Sequence, residues 1–473
     1  MKNNKGNSGI VIITLSSVIL IALVPWFFII LGNLNREDTS DLTQTHPEMS
    51  AAQEPSPVEE SPLPDIEPTP LPTPTPEVEQ VVDMEIPLEN TIIGIATEYR
   101  ELYQELNTIA AQYNCISASL TAFDNTTGEY FTYVYGQADV STGRPLGVDT
   151  KIRIASLAKL TTVICAMVLV DDNRIDLDLD ISIYLGYEVQ NTHSPGTPIT
   201  TRMLMQHTST IFDSGAFQQS RDRGSTESLR VLLERGSSFR RNQPGSQFEY
   251  TNFGYSVLGA VIENVAGKSL DTFAREVLFD PLDIDAAYVP NKMHDTENIA
   301  VIYNDNHVVT RSLQSQLDTV ESELLGHDLH LAQGNLTIST IDYAKILAML
   351  SNGGVWGDVR ILSLKAVRSI HDANVEGVAY DQGLATRHST GDFIPDEGFY
   401  WHTGSAYGMF SQYVCSDSAN TNRGIVVATV GADTGRESNG MVSICTEMSI
   451  LTWNHLWQID EESQSQQEVL EED

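Results

Sequence analysis

The sequence predicts a domain of the α/β class, in which an antiparallel sheet formed from both ends of the domain packs on helices and carries an inserted, mostly helical region. Residues 115–136 alternate apolar and polar side chains around the turn sequence DNTTG, which is typical of a β-hairpin. The alternation returns from Trp401 onward, and helical periodicity dominates the residues between. Strands at both ends of one domain therefore indicate one shared sheet.

The sequence predicts the following helices and strands in chain order. A polar amphipathic helix is expected near residues 97–113, and an apolar helix opens at Ser156. Residues 197–210 and 251–279 also have helical periodicity, and Gly267 divides the second segment into two helices. After strands at 401–416 and 423–432, a final helix is expected over residues 437–457.

The first part of the chain does not read as globular. Residues 10–31 are apolar and uncharged, long enough to span a bilayer, and no small-x-small cleavage site follows them. Lys2 and Lys5 precede the span, so an uncleaved anchor with the remainder of the protein outside the cell membrane is expected. A cleaved signal peptide is the competing interpretation.

A stalk is expected to follow the anchor, because the next segment is rich in Pro, Thr and Glu and poor in apolar residues. Polyproline geometry of roughly 3 Å per residue would carry the next domain on the order of 100 Å from the membrane, which suits a cell-wall substrate. The expected divisions are residues 1–33 for the cytoplasmic N-terminus and anchor, 34–87 for the stalk, 88–457 for the folded domain and 458–473 for an acidic tail.

Composition excludes some partners. The formal net charge of −37 argues against nucleic acid and against docking flat on anionic lipid. The cysteines at 115, 165, 415 and 445 lack metal-ligand spacing, and unpaired buried thiols are expected, although disulfides are possible outside the cytoplasm. The sequence calls for no metal or organic cofactor.

Three short motifs carry the chemistry. Ser156 and Lys159 lie three residues apart at the start of the apolar helix, so the lysine amine can reach the serine hydroxyl. Tyr250 and Asn252 follow a Pro-Gly turn on a loop before a helix. A phenol beside an ammonium ion loses its proton more easily, and an amide can hold both a lysine and a substrate carbonyl.

The third motif is His402-Thr403-Gly404-Ser405, expected at the start of a strand. An open strand edge binds an extended peptide through main-chain hydrogen bonds, and Gly404 permits close approach. The amides of Ser405 and Ser156 could together form an oxyanion hole.

In this order, on helix, loop and strand, the motifs resemble those of the penicillin-recognising serine hydrolases, in particular the branch of class C β-lactamases and D-alanyl-D-alanine carboxypeptidases. The resemblance covers roughly residues 96–457 and implies a β-lactamase/transpeptidase-like fold. It implies that Ser156 is the acylated nucleophile and that Lys159 and Tyr250 transfer its proton. It further implies that Asn252 binds the substrate amide and that His402, Thr403 and Gly404 form the substrate-binding strand.

Several residues depart from that family pattern. Lysine is usual at the position of His402 in β-lactamases, so efficient β-lactam hydrolysis is not expected, and a cationic His402 is expected to hold a substrate carboxylate. Thr210 and Asn335 stand where glycine is common. His207 is interpreted as a structural hydrogen bonder.

The leading hypothesis is a membrane-anchored, extracytoplasmic D,D-carboxypeptidase-like hydrolase acting on D-amino-acid peptides of the cell wall. An esterase, a β-lactamase and a D-aminopeptidase share the same chemistry and stay open as alternatives. A non-catalytic receptor for wall peptides or β-lactams is the alternative from a different class.

Overall fold

The computed structural model describes residues 99–222, 228–375, 380–391, 393, 398–418 and 422–458. The expected anchor, stalk and most of the acidic tail lie outside these residues. Within them, no helix combines the length and the apolar character that crossing a membrane requires.

The strands are β1 Ser117–Asp124, β2 Glu129–Asp139, β3 Arg144–Pro145, β4 Ile152–Arg153, β5 Ile302–Tyr303, β6 Val309–Arg311, β7 Thr337–Ile338, β8 Val355–Trp356, β9 Val359–Arg360, β10 Asp381–Gln382, β11 Arg387–Thr390, β12 Gly398–Ala406, β13 Met409–Ser416 and β14 Arg423–Val430.

The α-helices are α1 Arg100–Gln112, α2 Ala158–Asp171, α3 Ser182–Leu185, α4 Thr201–Met205, α5 Gly215–Asp222, α6 Leu229–Glu234, α7 Asn252–Ala266, α8 Leu270–Ala274, α9 Leu313–Leu317, α10 Leu331–Gly334, α11 Thr340–Ser351, α12 Leu364–His371 and α13 Ser443–Trp453.

One large sheet joins the two ends of the domain, as the sequence predicts. Its eight strands run in the order β10-β11-β12-β13-β14-β1-β2-β3. The junction is the antiparallel pair of β1 and β14, which runs from Ser117 opposite Val430 to Asp124 opposite Arg423. Strands separated by some three hundred residues are therefore direct neighbours, and the helical region is inserted between them.

Each face of the sheet is covered by helices. Ala118, Leu120 and Ala122 of β1 pack in a core shared with α1 and α13. The alternate residues of β1 face the other way, where the hydroxyls of Ser119 and Thr121 lie 2.7 and 3.0 Å from Thr340 Oγ1 of α11. Strand β1 is consequently buried on both sides, which gives the sheet a rigid centre.

Helices α2 and α7 form the centre of the larger core, and 11 of the 14 residues of α2 and 11 of the 15 residues of α7 are buried. The side chain of Thr251 caps the first turn of α7 by accepting from the Gly254 amide. Gly267 ends that helix in the left-handed conformation, φ 72°, which confirms the predicted division between two helices. The four cysteines are buried free thiols, also as expected.

Three local predictions differ from the structure. Helix α4 ends at Met205, because His207 and Thr210 adopt positive φ angles of 58° and 68° that no α-helix accommodates. The final helix begins only at Ser443, after a turn at Gly440 with φ 92°. The strand β12 begins at Gly398, so the His402 motif occupies its second half rather than its start.

Candidate active site

Ser156 lies on a tight turn between strand β4 and helix α2. The turn is a single 3-10 turn, Ala155–Leu157, and not the first turn of the α-helix itself. Ala155 has a φ of 49°, a conformation that L-residues rarely adopt and that is frequent next to functional side chains. The backbone therefore presents Ser156 at a fixed, strained corner ahead of the helix.

Lys159 is completely buried, and each of its three N–H groups has an acceptor. Its Nζ donates to Ser156 Oγ at 3.2 Å, to Asn252 Oδ1 at 3.0 Å and to the carbonyl oxygen of Gln333 at 2.6 Å. Burying a lone ammonium ion is costly, and these bonds offset that cost. The sequence motifs predict the contacts of Lys159 with Ser156 and Asn252, whereas no motif predicts its contact with the Gln333 carbonyl oxygen.

Tyr250 completes the contacts of the serine. Its hydroxyl donates to Ser156 Oγ at 2.8 Å, and Lys159 Nζ lies 5.0 Å from the centre of its ring. The ring lies against the His207 imidazole, with centroids 4.4 Å apart. An amine and a phenol thus meet at one hydroxyl oxygen.

His207 is a structural hydrogen bonder, as the sequence analysis expected. Its Nδ1 accepts from the Thr251 backbone amide at 3.1 Å, which fixes the segment that carries Tyr250. Burial, with the nearby Lys159 and Arg387 charges, holds the pKa of His207 well below its ordinary value. The neutral imidazole can therefore keep Nδ1 as an acceptor.

Strand β12 passes very close to the turn that carries Ser156. A Cβ added to Gly404 would lie 2.4 Å from the Ile154 carbonyl oxygen and 3.2 Å from the Ser156 amide nitrogen. Strand β11 pairs with β12 only through residues 398–401. Among the described residues, that edge of β12 therefore has no strand partner from His402 onward, and Ser405 is exposed there.

Burial disfavours the positive charge that the sequence predicts for His402. It is only 1 % exposed, and burial together with the charges of Arg387 and Lys159 holds its pKa well below the ordinary value. Its Nδ1 lies 2.8 Å from the Thr403 carbonyl oxygen, which the neutral ring satisfies as a donor. Burial among other cations disfavours the cationic form of His402 that the sequence predicts, and a role of His402 in substrate binding stays a prediction.

Two arginines supply positive charge beside Thr403. Arg387 and Arg436 each direct an Nη1 atom at Thr403 Oγ1, at 3.5 and 3.3 Å. Arg387 is mostly buried, with its guanidinium over the rings of Tyr380 and Trp401 at 4.4 and 4.9 Å. Sequence reasoning missed both arginines, since neither belongs to a motif of recognisable spacing.

Both departures from glycine have a structural account. Thr210 adopts the left-handed φ of 68° that glycine would favour, and its Oγ1 accepts from Asn191 Nδ2 at 2.9 Å. Asn335 has a φ of −101°, so no glycine is required, and its Nδ2 donates to the Tyr288 carbonyl at 2.7 Å. Side-chain hydrogen bonds thus hold both loops.

Comparison with known proteins places this geometry in a family. The family model described as Beta-lactamase matches residues 100–441. The chain belongs to the beta-lactamase family. Its fold is the β-lactamase/transpeptidase-like one that the sequence predicts.

Curated relatives of this beta-lactamase-family protein match over shorter segments. Protein flp of Staphylococcus aureus (strain MRSA252) is 27 % identical over 148 residues, which cover 31 % of this chain and 30 % of flp. A putative D-alanyl-D-alanine carboxypeptidase of Escherichia coli (strain K12) is 27 % identical over 182 residues, or 34 % of this chain and 41 % of that protein. The chain therefore spans less than half the length of either relative.

The similarity of structures extends further. The octameric penicillin-binding protein homologue from Pyrococcus abyssi superimposes with a TM-score of 0.60 at 18 % identity, over 75 % of this chain and 76 % of that chain. At this identity the likeness concerns the fold alone.

Proposed function

We propose that this protein is a D,D-carboxypeptidase-like hydrolase, which cleaves peptides ending in a D-amino acid through an acyl-enzyme at Ser156. The observation that carries the proposal is the contact of one serine oxygen with both Tyr250 Oη, at 2.8 Å, and Lys159 Nζ, at 3.2 Å. A serine hydroxyl is a weak nucleophile until an adjacent group takes its proton.

Acylation needs two proton transfers, one from the Ser156 hydroxyl and one to the leaving amine. As Oγ attacks the substrate carbonyl carbon, its proton passes to Tyr250 Oη or Lys159 Nζ, and the accepting group must then be in its deprotonated form rather than the donating form seen in the structure. The same proton then passes to the leaving amine as the C–N bond breaks. In deacylation, water attacks the ester, its proton follows the reverse route, and Ser156 regains its hydroxyl.

The transition state carries negative charge on the former carbonyl oxygen. The amides of Ser156 and Ser405 are proposed to bind it, and Asn252 is proposed to bind the substrate amide. The close approach of Gly404 to the Ser156 amide, 3.2 Å from an added Cβ, supports the first assignment. A substrate peptide would lie along the open edge of β12 as an extra strand.

Preference for a terminal carboxylate is supported by the two arginines. Arg387 and Arg436 converge on Thr403 Oγ1 within 3.5 Å, so a carboxylate beside Thr403 would meet two guanidinium groups and a hydroxyl. Guanidinium groups bind carboxylates in a planar, two-pronged geometry. A peptide with a free C-terminus fits this chemistry better than a neutral ester.

The covalent step is tested with a fluorescent penicillin or fluorophosphonate on purified protein. We expect labelling of the wild type and none of Ser156→Ala, with an unchanged circular dichroism spectrum. Labelling that persists in Ser156→Ala would remove Ser156 from its role. Turnover of D-alanyl-D-alanine peptides, p-nitrophenyl esters and a chromogenic cephalosporin then separates a carboxypeptidase from an esterase and a β-lactamase, and labelling without turnover would indicate a receptor.

We also propose that residues 10–31 anchor the protein in the cell membrane with the hydrolase domain outside. The uncharged apolar composition of the segment and the lysines at 2 and 5 support this topology. Protease added to intact cells should release a soluble domain by cutting between residues 37 and 87. A mature protein whose N-terminus already lies after residue 31 would contradict the anchor.

A further inference from the structure

Asp213 lies on the loop between His207 and helix α5, half-buried beside the start of α7. Its Oδ1 accepts from Thr251 Oγ1 at 3.0 Å and from the backbone amides of Asn252 and Phe253 at 2.8 Å each. Its Oδ2 accepts from the side-chain Nδ2 of Asn252 at 2.8 Å. All four donors therefore belong to the segment that directly follows Tyr250.

The contact with Nδ2 decides which way the Asn252 amide is turned. A carboxylate accepts hydrogen bonds and cannot donate them, so the amide NH2 has to face Asp213. The amide oxygen then faces Lys159, whose Nζ donates to it at 3.0 Å. A half-turn of the amide would place oxygen against the carboxylate and NH2 against the lysine ammonium, and both contacts would be repulsive.

We propose that Asp213 is a positioning residue for the chemistry of Ser156. It locks the Asn252 amide with its oxygen toward Lys159, and this oxygen helps to hold the lysine amine within reach of Ser156 Oγ. Asn252 has two amide N–H groups and Asp213 uses one, which leaves the second for a substrate carbonyl. The role rests on the proposed function of Ser156 as the acylated nucleophile.

The two carboxylate oxygens of Asp213 accept hydrogen bonds from different groups, and this difference makes the proposal testable. Oδ1 serves the first turn of α7, where free backbone amides and the helix dipole favour a negative partner. Oδ2 alone orients the Asn252 side chain. In Asp213→Asn, the remaining carbonyl oxygen can keep the backbone contacts, while the new NH2 group opposes the NH2 of Asn252 and drives that amide to rotate.

The experiment is a double-mutant cycle of Asp213→Asn and Asn252→Ala in the full-length protein, read as the rate constant for labelling of Ser156 by a fluorophosphonate. We expect Asp213→Asn alone to slow labelling on the order of 100-fold, the size of effect that misplacement of a reacting group produces. In the Asn252→Ala background, the same change should cost less than about threefold, because no amide is left to orient.

Thermal melting separates positioning from folding. Asp213→Asn should melt within about 5 °C of the wild type, since the contacts of Oδ1 can persist. Asp180→Asn is the matched control, because Asp180 is also a half-buried aspartate that accepts a backbone amide, from Ser182 at 2.8 Å. This control should label at the wild-type rate.

Additive losses in the cycle, or wild-type labelling of Asp213→Asn, would overturn the positioning role. If Asp213→Asn does not fold, Asp213→Ser, which keeps one acceptor oxygen, takes its place in the same cycle. Failure of the proposed function gives a different result: the wild type does not label, or Ser156→Ala still does.

Discussion

The Ser156 end and the Thr403 end of the candidate site differ in how completely their cationic groups are hydrogen-bonded. At the Ser156 end, the buried amine of Lys159 has three acceptors within 3.2 Å. At the Thr403 end, two guanidinium groups share one hydroxyl oxygen. Among the described residues, Arg387 Nε and His402 Nε2 are buried there without a hydrogen-bond partner, and at the Ser156 end His207 Nε2 is too.

We relate this difference to proton transfer at the Ser156 end and to substrate recognition at the Thr403 end. Buried polar atoms are almost always paired, and the Lys159 amine, whose three N–H groups all have acceptors, is held in position before substrate arrives. The excess positive charge of the two guanidinium groups at the Thr403 end is complemented by an anionic group. The proposed proton-transfer groups should therefore act on any reactive carbonyl, whereas the two arginines should favour only substrates that carry a carboxylate.

The largest effect is expected at the Ser156 end. Lys159→Met should lower kcat/KM on the order of 10⁴-fold, because it removes a proton-transfer group and leaves Asn252 Oδ1 and the Gln333 carbonyl without their donor. The loss should be the same for peptides and for neutral esters. Lys268→Met, at a partly exposed lysine paired with Glu276, is the control and should keep wild-type rates.

A smaller and selective effect is expected at the Thr403 end. Arg387→Met should lower kcat/KM for a peptide with a free C-terminus by about 100-fold, since hydrogen bonds to charged groups contribute about 1.5–3 kcal/mol. The rate on a p-nitrophenyl ester without a carboxylate should change less than about threefold. Equal losses on both substrates would mean that Arg387 supports the fold rather than the carboxylate.

The smallest effect concerns His402 and appears in stability rather than in affinity. Because the folded state holds the pKa of His402 below its ordinary value, the unfolded chain binds the proton first as pH falls. The stabilisation that comes from the neutral His402 should be fully present above about pH 6.5. Below that pH, protonation of this histidine in the unfolded chain should lower the free energy of unfolding by at most about 1.4 kcal/mol per pH unit.

His402→Gln measures that contribution. Urea unfolding at pH 7 and pH 5 should show a smaller acid-induced loss in the variant than in the wild type. Apparent affinity for a carboxylate substrate should not follow a histidine titration in either protein. An affinity that weakens as pH rises through 6.5 in the wild type alone would restore the cationic His402.

The sequence predicts contacts at the Ser156 end but not those at the Thr403 end. The serine and lysine are three residues apart on one chain turn, so local geometry alone predicts their contact. Arg387 and Arg436 are 16 and 33 residues from Thr403 and come from different elements. The pairing of β11 with β12 and the packing of the segment after β14 bring them together, and no periodicity encodes that approach.

The sequence by itself determined the sheet shared by both ends of the domain, the apolar helix after Ser156 and the residues of the three motifs, because alternation, helical period and short spacings are local properties of the chain. The tertiary structure decided the charge of His402, the third acceptor of Lys159 and the orientation of the Asn252 amide by Asp213. Each of these depends on which distant groups surround a buried atom. Protonation and hydrogen-bond direction are set by that surrounding field and not by the identity of the residue alone.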